Sequence, residues 1–155
     1  MELAAQIVGF CGTAGLFISY QQNTKNRILL FQILGITMFT LHFFLLSAWS
    51  GCMMNLLGIG RALLYAYTEQ KGLHVRWLCP LLCAVFTAAA VLTWESAFSL
   101  LPTAAMLLST LAYEQKQPRR FRRLMFPCSP LWMVYNIHSG SVSGVVTEAF
   151  AMLSL

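Results

Sequence analysis

The segment from Trp49 to Tyr67, WSGCMMNLLGIGRALLYAY, most constrains what this chain can fold into. It has the length and apolar character of a lipid-spanning helix, yet it contains an amide, Asn55, and a full positive charge, Arg61. A charge at that depth costs about 2.5–3.5 kcal/mol on insertion scales, so it normally faces a partner or a water-filled cavity. The segment therefore predicts a membrane protein with a polar interior.

The composition favours lipid as the solvent for much of the surface. Hydrophobic residues make up 58% of the chain and charged residues 10%, whereas soluble chains average about 45–50% and 25%. The net charge of +5 would suggest a polyanion partner in a soluble protein. Here the basic residues cluster between apolar stretches, where membrane topology explains them better. We therefore expect the lipid bilayer as a partner and no nucleic acid.

Polar residues divide the chain into seven apolar stretches, and we predict a transmembrane helix in each. The stretches are 3–20, 28–48, 51–68, 77–94, 97–113, 124–138 and 141–155. Several are shorter than the ~20 residues that cross a bilayer comfortably, and short spans are tolerated inside a bundle. The sixth contains Pro127 and Pro130, so we expect it to be kinked or to start late.

The basic residues indicate an orientation. Nine of the ten lie in the connections after the first, third and fifth stretches, which read QQNTKNR, TEQKGLHVR and EQKQPRRFRR. The positive-inside rule then places these loops in the cytoplasm, the N-terminus in the periplasm and the C-terminus in the cytoplasm. The third connection, with Arg119 to Arg123, is interpreted as a basic loop. Trp49 and Trp94 are expected at the outer rim and Trp77 at the inner rim, where indoles prefer to lie.

A weak internal repeat suggests how the helices are organised. Sliding the chain by 93 residues superimposes the first stretch on the fifth, the second on the sixth and the third on the seventh. The identical pairs are Tyr20 and Tyr113, Gln22 and Gln115, Arg27 and Arg120, Ser50 and Ser143, and Gly51 and Gly144. We therefore predict one all-α integral membrane domain over 1–155, a seven-helix bundle with a 3+1+3 plan. Two parallel three-helix units (1–70 and 96–155) would be joined by a linker helix (71–95).

The polar residues of the predicted spans suggest a binding site. Asn55 and Glu148 each lie four residues past a glycine of the repeat, so both belong to the outer half at equal depth. His42 lies at a similar level, Tyr135 takes its place in the second unit, and Asn136 follows. These five side chains are the candidate substrate-binding residues. Amide, imidazole and phenol groups suit a small polar solute, and the carboxylate suits a hydroxyl, an amine or a proton.

Structural roles are open for several of these residues. Polar side chains in membrane bundles also join helices, at roughly 0.6 kcal/mol per hydrogen bond. An acid inside the membrane, such as Glu148, is a functional hypothesis by default. Arg61 could pair with Glu148, as a gate or as a static link, or extend along its own stem to the cytoplasmic interface. The sequence leaves these alternatives open.

Nothing in the sequence supports catalysis. The three histidines lie on different segments, and no spacing of His, Cys and acidic residues matches a metal site. No nucleophilic serine motif and no glycine-rich phosphate loop is present. We therefore expect a protein that is not an enzyme, with no catalytic residue, no metal and no cofactor.

Two segments resemble the YgjV family of bacterial inner-membrane proteins. They are LHFFLLSAWSGCMMNLLGIGR (41–61) and SPLWMVYNIHSGSVSGVVTEAF (129–150). The resemblance covers most of the chain. Its residues are Leu41-His42, Gly51, Asn55, Arg61, Ser129-Pro130-Leu131-Trp132, Tyr135-Asn136, Gly144 and Thr147-Glu148. It implies a bacterial inner membrane and names no substrate.

More remotely, the 3+1+3 plan resembles the SWEET, SemiSWEET and PQ-loop superfamily of sugar, amino-acid and vitamin carriers. Tyr20-Gln21-Gln22 and Tyr113-Glu114-Gln115 look like degenerate PQ motifs ahead of basic loops. By this resemblance Asn55 falls at the pocket asparagine of the third span, and Glu148 takes the equivalent place in the seventh. Neither motif has its proline, and Pro102, Pro127 and Pro130 have no counterparts in the first unit.

The leading prediction is a facilitator or proton-coupled carrier for a small polar solute, such as a sugar, amino acid or vitamin-like metabolite. Asn55 and Glu148 would contact the solute, with His42 and Tyr135 beside them, and Arg61 would pair or gate. The alternative is a non-transporting receptor or assembly protein, which predicts a packed polar core without a continuous cavity. The oligomeric state stays open, with a homo-oligomer among the alternatives.

Overall fold

The structure is a computed structural model that describes residues 2–73, 75–115 and 117–154, without the side chains of Tyr20, Lys25, Asn26, Pro118, Arg122 and Ser154. Over those residues the protein is all-α, as predicted, and contains no strand. The helices are α1 (Glu2–Tyr20), α2 (Lys25–Leu45), α3 (Trp49–Gln70), α4 (Leu78–Leu92), α5 (Leu100–Tyr113), α6 (Pro118–Met125), α7 (Cys128–His138) and α8 (Val142–Ser154). A 3-10 turn, Ala97–Ser99, leads directly into α5.

The prolines and glycines explain several helix ends. The predicted sixth stretch is broken between Met125 and Cys128, because Pro127 has no N–H to continue a helix and stands at the N-terminal cap of α7. Pro130 lies in the first turn of α7, where the missing N–H costs nothing. Gly72 and Gly140 follow α3 and α7 with φ of 63° and 70°, a left-handed conformation that glycine adopts readily at helix ends.

The prediction that Arg119 to Arg123 form a loop is wrong, because these residues lie in α6. Arginine is a good helix former, and Pro118 is well suited to the first helical position. The cluster of arginines therefore lies between two apolar stretches and is itself helical. α6 packs against α5 and α7.

Six of the helices pack in a closed ring in the order α1, α2, α3, α5, α7, α8, and α8 contacts α1 to complete it. α4 packs outside the ring against α3 and α5. The order of contacts places α3 opposite α8 and α2 opposite α7. Asn55 and Glu148, the seventh residues of α3 and α8, are therefore on facing helices.

The helix bounds correspond between the two halves of the chain. Three pairs of helix ends are each 93 positions apart: Tyr20 and Tyr113, Leu45 and His138, and Trp49 and Val142. The ring contacts correspond as well. α1 packs on α8, and its counterpart α5 packs on α3, the counterpart of α8.

Short connections and side-chain contacts define two ends of the ring. At one end, where α1, α3 and α5 end, Tyr65 donates a hydrogen bond to Glu114 at 2.8 Å and stacks on Tyr113 at 5.2 Å. We call this the basic end, because the basic residues of the connections lie here. At the opposite end, Gln6 donates to the Gly140 carbonyl at 2.7 Å.

The outer surface of the helix bundle is apolar. Large side chains such as Leu3, Val91, Leu92 and Leu153 are 71–88% exposed. Two described helical segments, Glu2–Ser19 and Arg27–Leu45, are long and apolar enough to cross a membrane, and Leu78–Leu92, Ala97–Tyr113 and Val142–Leu153 are apolar but shorter. Exposed apolar area on this scale marks a surface that contacts lipid or protein rather than water.

Glu95 caps α3 from another part of the chain. Its carboxylate accepts hydrogen bonds from the backbone N–H groups of Trp49 at 3.1 Å and Ser50 at 3.2 Å. The Ser50 hydroxyl donates to the Thr93 carbonyl at 2.6 Å. The first N–H groups of a helix have no intrahelical acceptor and carry partial positive charge, so a carboxylate is favourable there. These contacts hold the connection after α4 against the start of α3.

We therefore expect Glu95→Ala to lower the free energy of unfolding by about 1 kcal/mol, the usual effect of losing a helix cap. Glu95→Gln keeps one acceptor oxygen and should lose less. The measurement is thermal unfolding of the detergent-purified protein followed by tryptophan fluorescence. Equal stability of both variants and the wild type would show that the cap contributes nothing.

Candidate functional site

A cavity of about 670 Å³ lies inside the ring. All six ring helices and α6 contribute to its wall, which is largely apolar. The side chains on it that can form hydrogen bonds are Gln32, Asn55, Arg61, Ser109, Tyr113, Cys128, Ser129, Trp132, Asn136, Thr147 and Glu148. Four of the predicted residues, Asn55, Arg61, Asn136 and Glu148, therefore share one cavity.

Aromatic rings separate this cavity from the opposite end. Phe43 of α2 stacks on Trp132 of α7 with ring centroids 6.1 Å apart, and Tyr135 packs edge-on against Trp132 at 6.0 Å. Phe39, Phe43 and Trp132 also line the cavity. Because Phe39, Phe43, Trp132 and Tyr135 lie in the last two turns of α2 and α7, they form an aromatic layer between the cavity and the opposite end.

Toward the basic end the cavity continues. A second cavity of about 420 Å³ shares Gln32, Ala62 and Tyr113 with the first. Glu114 and Gln115, the last residues before the basic segment, line it. The central cavity is thus covered by aromatic rings on one side and adjoins open volume on the other.

Asn55 and Glu148 contribute acceptor oxygens from facing helices. The Asn55 side-chain N–H group donates to the Gly51 carbonyl of its own helix at 3.1 Å, which leaves the amide oxygen available to the cavity. Glu148 lies on the cavity wall together with Ser129 of α7. The side chains of Asn55 and Glu148 are both only partly buried.

Asn136 presents a buried oxygen that is not satisfied. Its side chain is 3% exposed, and within the described part of the chain its Oδ1 has no hydrogen-bond partner. Gly144 makes this position possible, because a Cβ there would collide with Asn136 Oδ1 and with Ser141 Oγ. A buried acceptor without a donor costs about 1–3 kcal/mol, so this oxygen is an unfavourable feature of the contact between α7 and α8.

Arg61 forms its hydrogen bonds with α5. Nη1 donates to the Met106 carbonyl at 3.2 Å, to Ser109 Oγ at 2.6 Å and to Thr110 Oγ1 at 3.0 Å. The side chain is 9% exposed, and its Nε is buried without a partner among the described residues. All three acceptors are neutral, so they bind the guanidinium without cancelling its charge.

Neither alternative proposed for Arg61 is what the structure shows. No ion pair joins Arg61 to Glu148 in the described ranges, and the buried guanidinium does not extend along its own helix to the surface. It crosses to α5, with Cζ at 5.1 Å from the ring centroid of Tyr113 and 5.7 Å from that of Phe86. Such cation–π contacts contribute more when they are shielded from water.

His42 and Tyr135 lie away from the cavity wall. His42 is fully buried, with Nδ1 at 2.7 Å from the Ala5 carbonyl and Nε2 at 2.7 Å from Ser141 Oγ. A carbonyl only accepts, so Nδ1 carries the proton and Nε2 accepts from Ser141. The Tyr135 hydroxyl accepts from the Gly51 N–H at 2.8 Å. The structure therefore places these two predicted solute ligands in contacts between helices.

Those contacts also correspond between the two halves. His42 of α2 reaches the start of α8, and Tyr135, 93 residues later on α7, reaches the start of α3. Ser143 Oγ lies 3.5 Å from the same His42 nitrogen as Ser141. Each side chain thus links its own half of the chain to the first turn of a helix in the other half.

Several polar residues at the site were missed from the sequence. Ser109 and Thr110 accept hydrogen bonds from Arg61, and Ser129 lies on the cavity wall with Glu148. The hydroxyls of Thr147 and Thr13 share a hydrogen bond of 2.8 Å. Hydroxyl side chains inside apolar stretches are common, so they carried little signal. Two adjacent hydroxyls at 109 and 110 were the one pattern that could have indicated an acceptor site for a buried cation.

No metal centre is found in the described ranges, where no three His, Cys, Asp or Glu residues are grouped to hold an ion. The five cysteines are free. Cys79 and Cys128 are buried. Cys128 donates weakly to the Ala105 carbonyl at 3.4 Å, which is typical of a cysteine packed as a small apolar residue.

An all-α bundle with an apolar exterior and a polar-lined interior is the architecture of an integral membrane protein. The family comparison agrees, because residues 3–155 match the model of Imp-YgjV, described as a bacterial inner membrane protein. The chain therefore belongs to the YgjV family, as segments 41–61 and 129–150 predicted. No curated protein and no solved structure matches it. The relation to SWEET and PQ-loop carriers stays a prediction, and the side chain of Tyr20, in the first motif, lies outside the described residues.

Proposed function

We propose that this inner-membrane protein is a facilitator or proton-coupled carrier that binds a small polar solute in its central cavity. The observation that carries the proposal is the cavity itself, where amide, carboxyl and guanidinium groups face about 670 Å³ of open volume inside an apolar bundle. The alternative, a receptor or assembly protein with a packed polar core, predicts these groups in contact with one another. Polar groups in a membrane interior are costly unless they serve a pathway or a partner.

The 3+1+3 plan supplies the two bodies that such a carrier needs. The matching helix ends and the paired contacts α1–α8 and α5–α3 support two parallel three-helix units over 1–70 and 96–155, joined by 71–95. The cavity then lies between the units. Rocking one unit against the other would open the cavity alternately to each side of the membrane, as in other parallel-repeat carriers.

The positive-inside rule orients this arrangement. The basic end belongs in the cytoplasm, which places the N-terminus in the periplasm, the C-terminus in the cytoplasm and the chain across the membrane several times. The aromatic layer of Phe39, Phe43, Trp132 and Tyr135 then closes the periplasmic side. The cavity near Glu114 and Gln115 faces the cytoplasm. The conformation is that of a carrier open to the cytoplasm.

Within this proposal the site residues divide into two groups. Asn55, Asn136 and Glu148 contact the solute, and Arg61 supplies a positive charge at the same cavity. His42 and Tyr135 hold the helices that carry them. No group is assigned a catalytic step, so the protein is proposed to move or bind its solute without changing it.

Glu148→Gln tests the proposal. The wild-type protein, screened in detergent against small metabolites, should gain thermal stability with its solute, by about 2.7 kcal/mol at a hundred times the dissociation constant. The variant should bind that solute about 10- to 100-fold more weakly, because a charge-assisted hydrogen bond is lost. Uptake of the same solute into proteoliposomes should fall in parallel.

The control is Glu2→Gln, which makes the same chemical change at an exposed carboxylate at the start of α1, outside the cavity. It should bind and transport like the wild type. Binding that both variants retain in full would remove Glu148 from the site. No solute bound by the wild type, together with a Glu148→Gln protein that unfolds early, would favour the packed scaffold.

A further inference from the structure

Arg61 and Glu148 face the same cavity from opposite helices of the ring, and neither is neutralised by the other. We propose that the solute is a zwitterion of the α-amino acid type, with its carboxylate on Arg61 and its ammonium group on Glu148 and the amide oxygen of Asn55. This inference rests on the proposed function, since it names the chemical class of the solute that the cavity takes.

The α3 side of the cavity lacks an anion. Arg61 is 9% exposed and is held by one carbonyl and two hydroxyls, none of which is charged. Only Nη1 makes these hydrogen bonds, so the rest of the guanidinium fork has no acceptor in the described part of the protein. A buried charge without a counterion is strongly unfavourable. A solute carboxylate would supply both the charge and the planar pair of acceptors that guanidinium prefers.

The α7 and α8 side lacks a cation. Glu148 lies on the cavity wall, and no ion pair to it is found in the described ranges. Asn55 lies on the same wall from α3, and its amide oxygen is not used by the hydrogen bond to Gly51. An ammonium group has three N–H donors and a positive charge. It can therefore bond the Glu148 carboxylate and the Asn55 amide oxygen together, which a hydroxyl with a single donor cannot do.

The charge pattern discriminates between solute classes. A neutral sugar would leave both Arg61 and Glu148 without a counterion. A monocarboxylate would leave Glu148 uncompensated, and a simple amine would leave Arg61 uncompensated. A zwitterion neutralises both walls at once. The remaining wall includes Ile36, Phe39 and Phe150, which favours an amino acid with an apolar or aromatic side chain.

The test compares one amino acid with its two truncated analogues. The detergent-purified full-length protein is titrated with L-leucine, with 3-methylbutylamine, which lacks the carboxylate, and with 4-methylpentanoate, which lacks the ammonium group. D-glucose is the neutral control, and L-phenylalanine extends the series. We expect an amino acid to bind and each of its analogues to bind about 10- to 100-fold more weakly, the effect of one charge-assisted contact.

Two variants assign the contacts. Glu148→Gln should lower the affinity for the amino acid toward that of the wild type for 4-methylpentanoate, while leaving 4-methylpentanoate binding nearly unchanged. Arg61→Lys retains a positive charge but loses the planar fork, so it should keep the preference for carboxylate-bearing solutes and bind them more weakly. It also serves as a folded variant for comparison if truncation of the Arg61 side chain unfolds the protein.

The outcomes separate this inference from the proposed function. If glucose or the analogues bind as tightly as the amino acids, the protein binds a polar solute but not a zwitterion, and only this inference fails. If Glu148→Gln weakens binding of 4-methylpentanoate as much as that of leucine, the ammonium contact is wrong. If no solute of any class binds, the carrier proposal fails and this inference with it.

Discussion

Gly9→Leu is expected to prevent stable closure of the helix ring. Gly9 lies on α1 where it meets α2 and α8, and a Cβ there would collide with Ser143 Oγ and stand 2.8 Å from His42 Nδ1. His42 cannot move aside without breaking its hydrogen bond to the Ala5 carbonyl. Because the α1–α8 contact completes the ring, added volume must separate the two helices. We expect a loss of about 3 kcal/mol or more in the free energy of unfolding.

Gly60→Leu is the matched control. Gly60 lies on an exposed face of α3, and a Cβ there would meet nothing within 4 Å. Glycine is less favourable than leucine inside a helix by somewhat less than 1 kcal/mol, so this variant should be as stable as the wild type or slightly more stable. Thermal unfolding in detergent, followed by tryptophan fluorescence, compares the two. Similar losses in both variants would show that the close approach of α1 to α8 does not hold the ring.

Most helices could be predicted because their signals are local. The apolar stretches set the lengths, and polar or glycine-containing segments set the ends, which needs no knowledge of tertiary contacts. The break near Pro127 follows from proline chemistry alone. α6 is not predicted, because clustered arginines indicate membrane topology and do not determine whether the backbone is helical.

The site could be predicted in depth but not in direction. Counting residues from the helix ends places a side chain along the membrane normal at about 1.5 Å per residue, whereas each residue also turns by about 100° around the helix axis. Tyr135 and Asn136 are neighbours on α7, yet only Asn136 lines the cavity. His42 shares the predicted level with Asn55, and the rotation of α2 turns it toward Ala5 and Ser141 instead.

The position of Arg61 depended on contacts that the sequence does not encode locally. Its acceptors on α5 follow it by 45 to 49 residues, with α4 between them in the chain. Only the packing of α3 against α5 brings the hydroxyls of Ser109 and Thr110 to the guanidinium. Considering each span alone, the sequence suggests that Arg61 pairs with Glu148 or extends to the interface. It does not indicate that α5 supplies the acceptors.

His42→Phe is expected to lower the free energy of unfolding by about 2–5 kcal/mol, because two buried partners lose their hydrogen bonds. The Ala5 carbonyl would lose its donor, and the Ser141 hydroxyl its acceptor, in the tightly packed region where α1, α2 and α8 meet. Phenylalanine keeps an aromatic ring of similar shape next to Phe39 and Phe43, so lost packing contributes little. Thermal unfolding measures the loss.

Tyr135→Phe makes the corresponding change 93 residues later and removes only the oxygen that accepts from Gly51. It should lose about 1 kcal/mol, the value of one hydrogen bond, so the two halves are held by similar contacts of unequal strength. Since neither side chain lines the cavity, the folded fraction of each variant should bind solute with wild-type affinity in the same titration that tests Glu148→Gln. A loss of stability without a loss of affinity would show that both residues position the helices. A stable variant that binds solute more weakly would instead place its residue in the solute site, as the sequence analysis predicts.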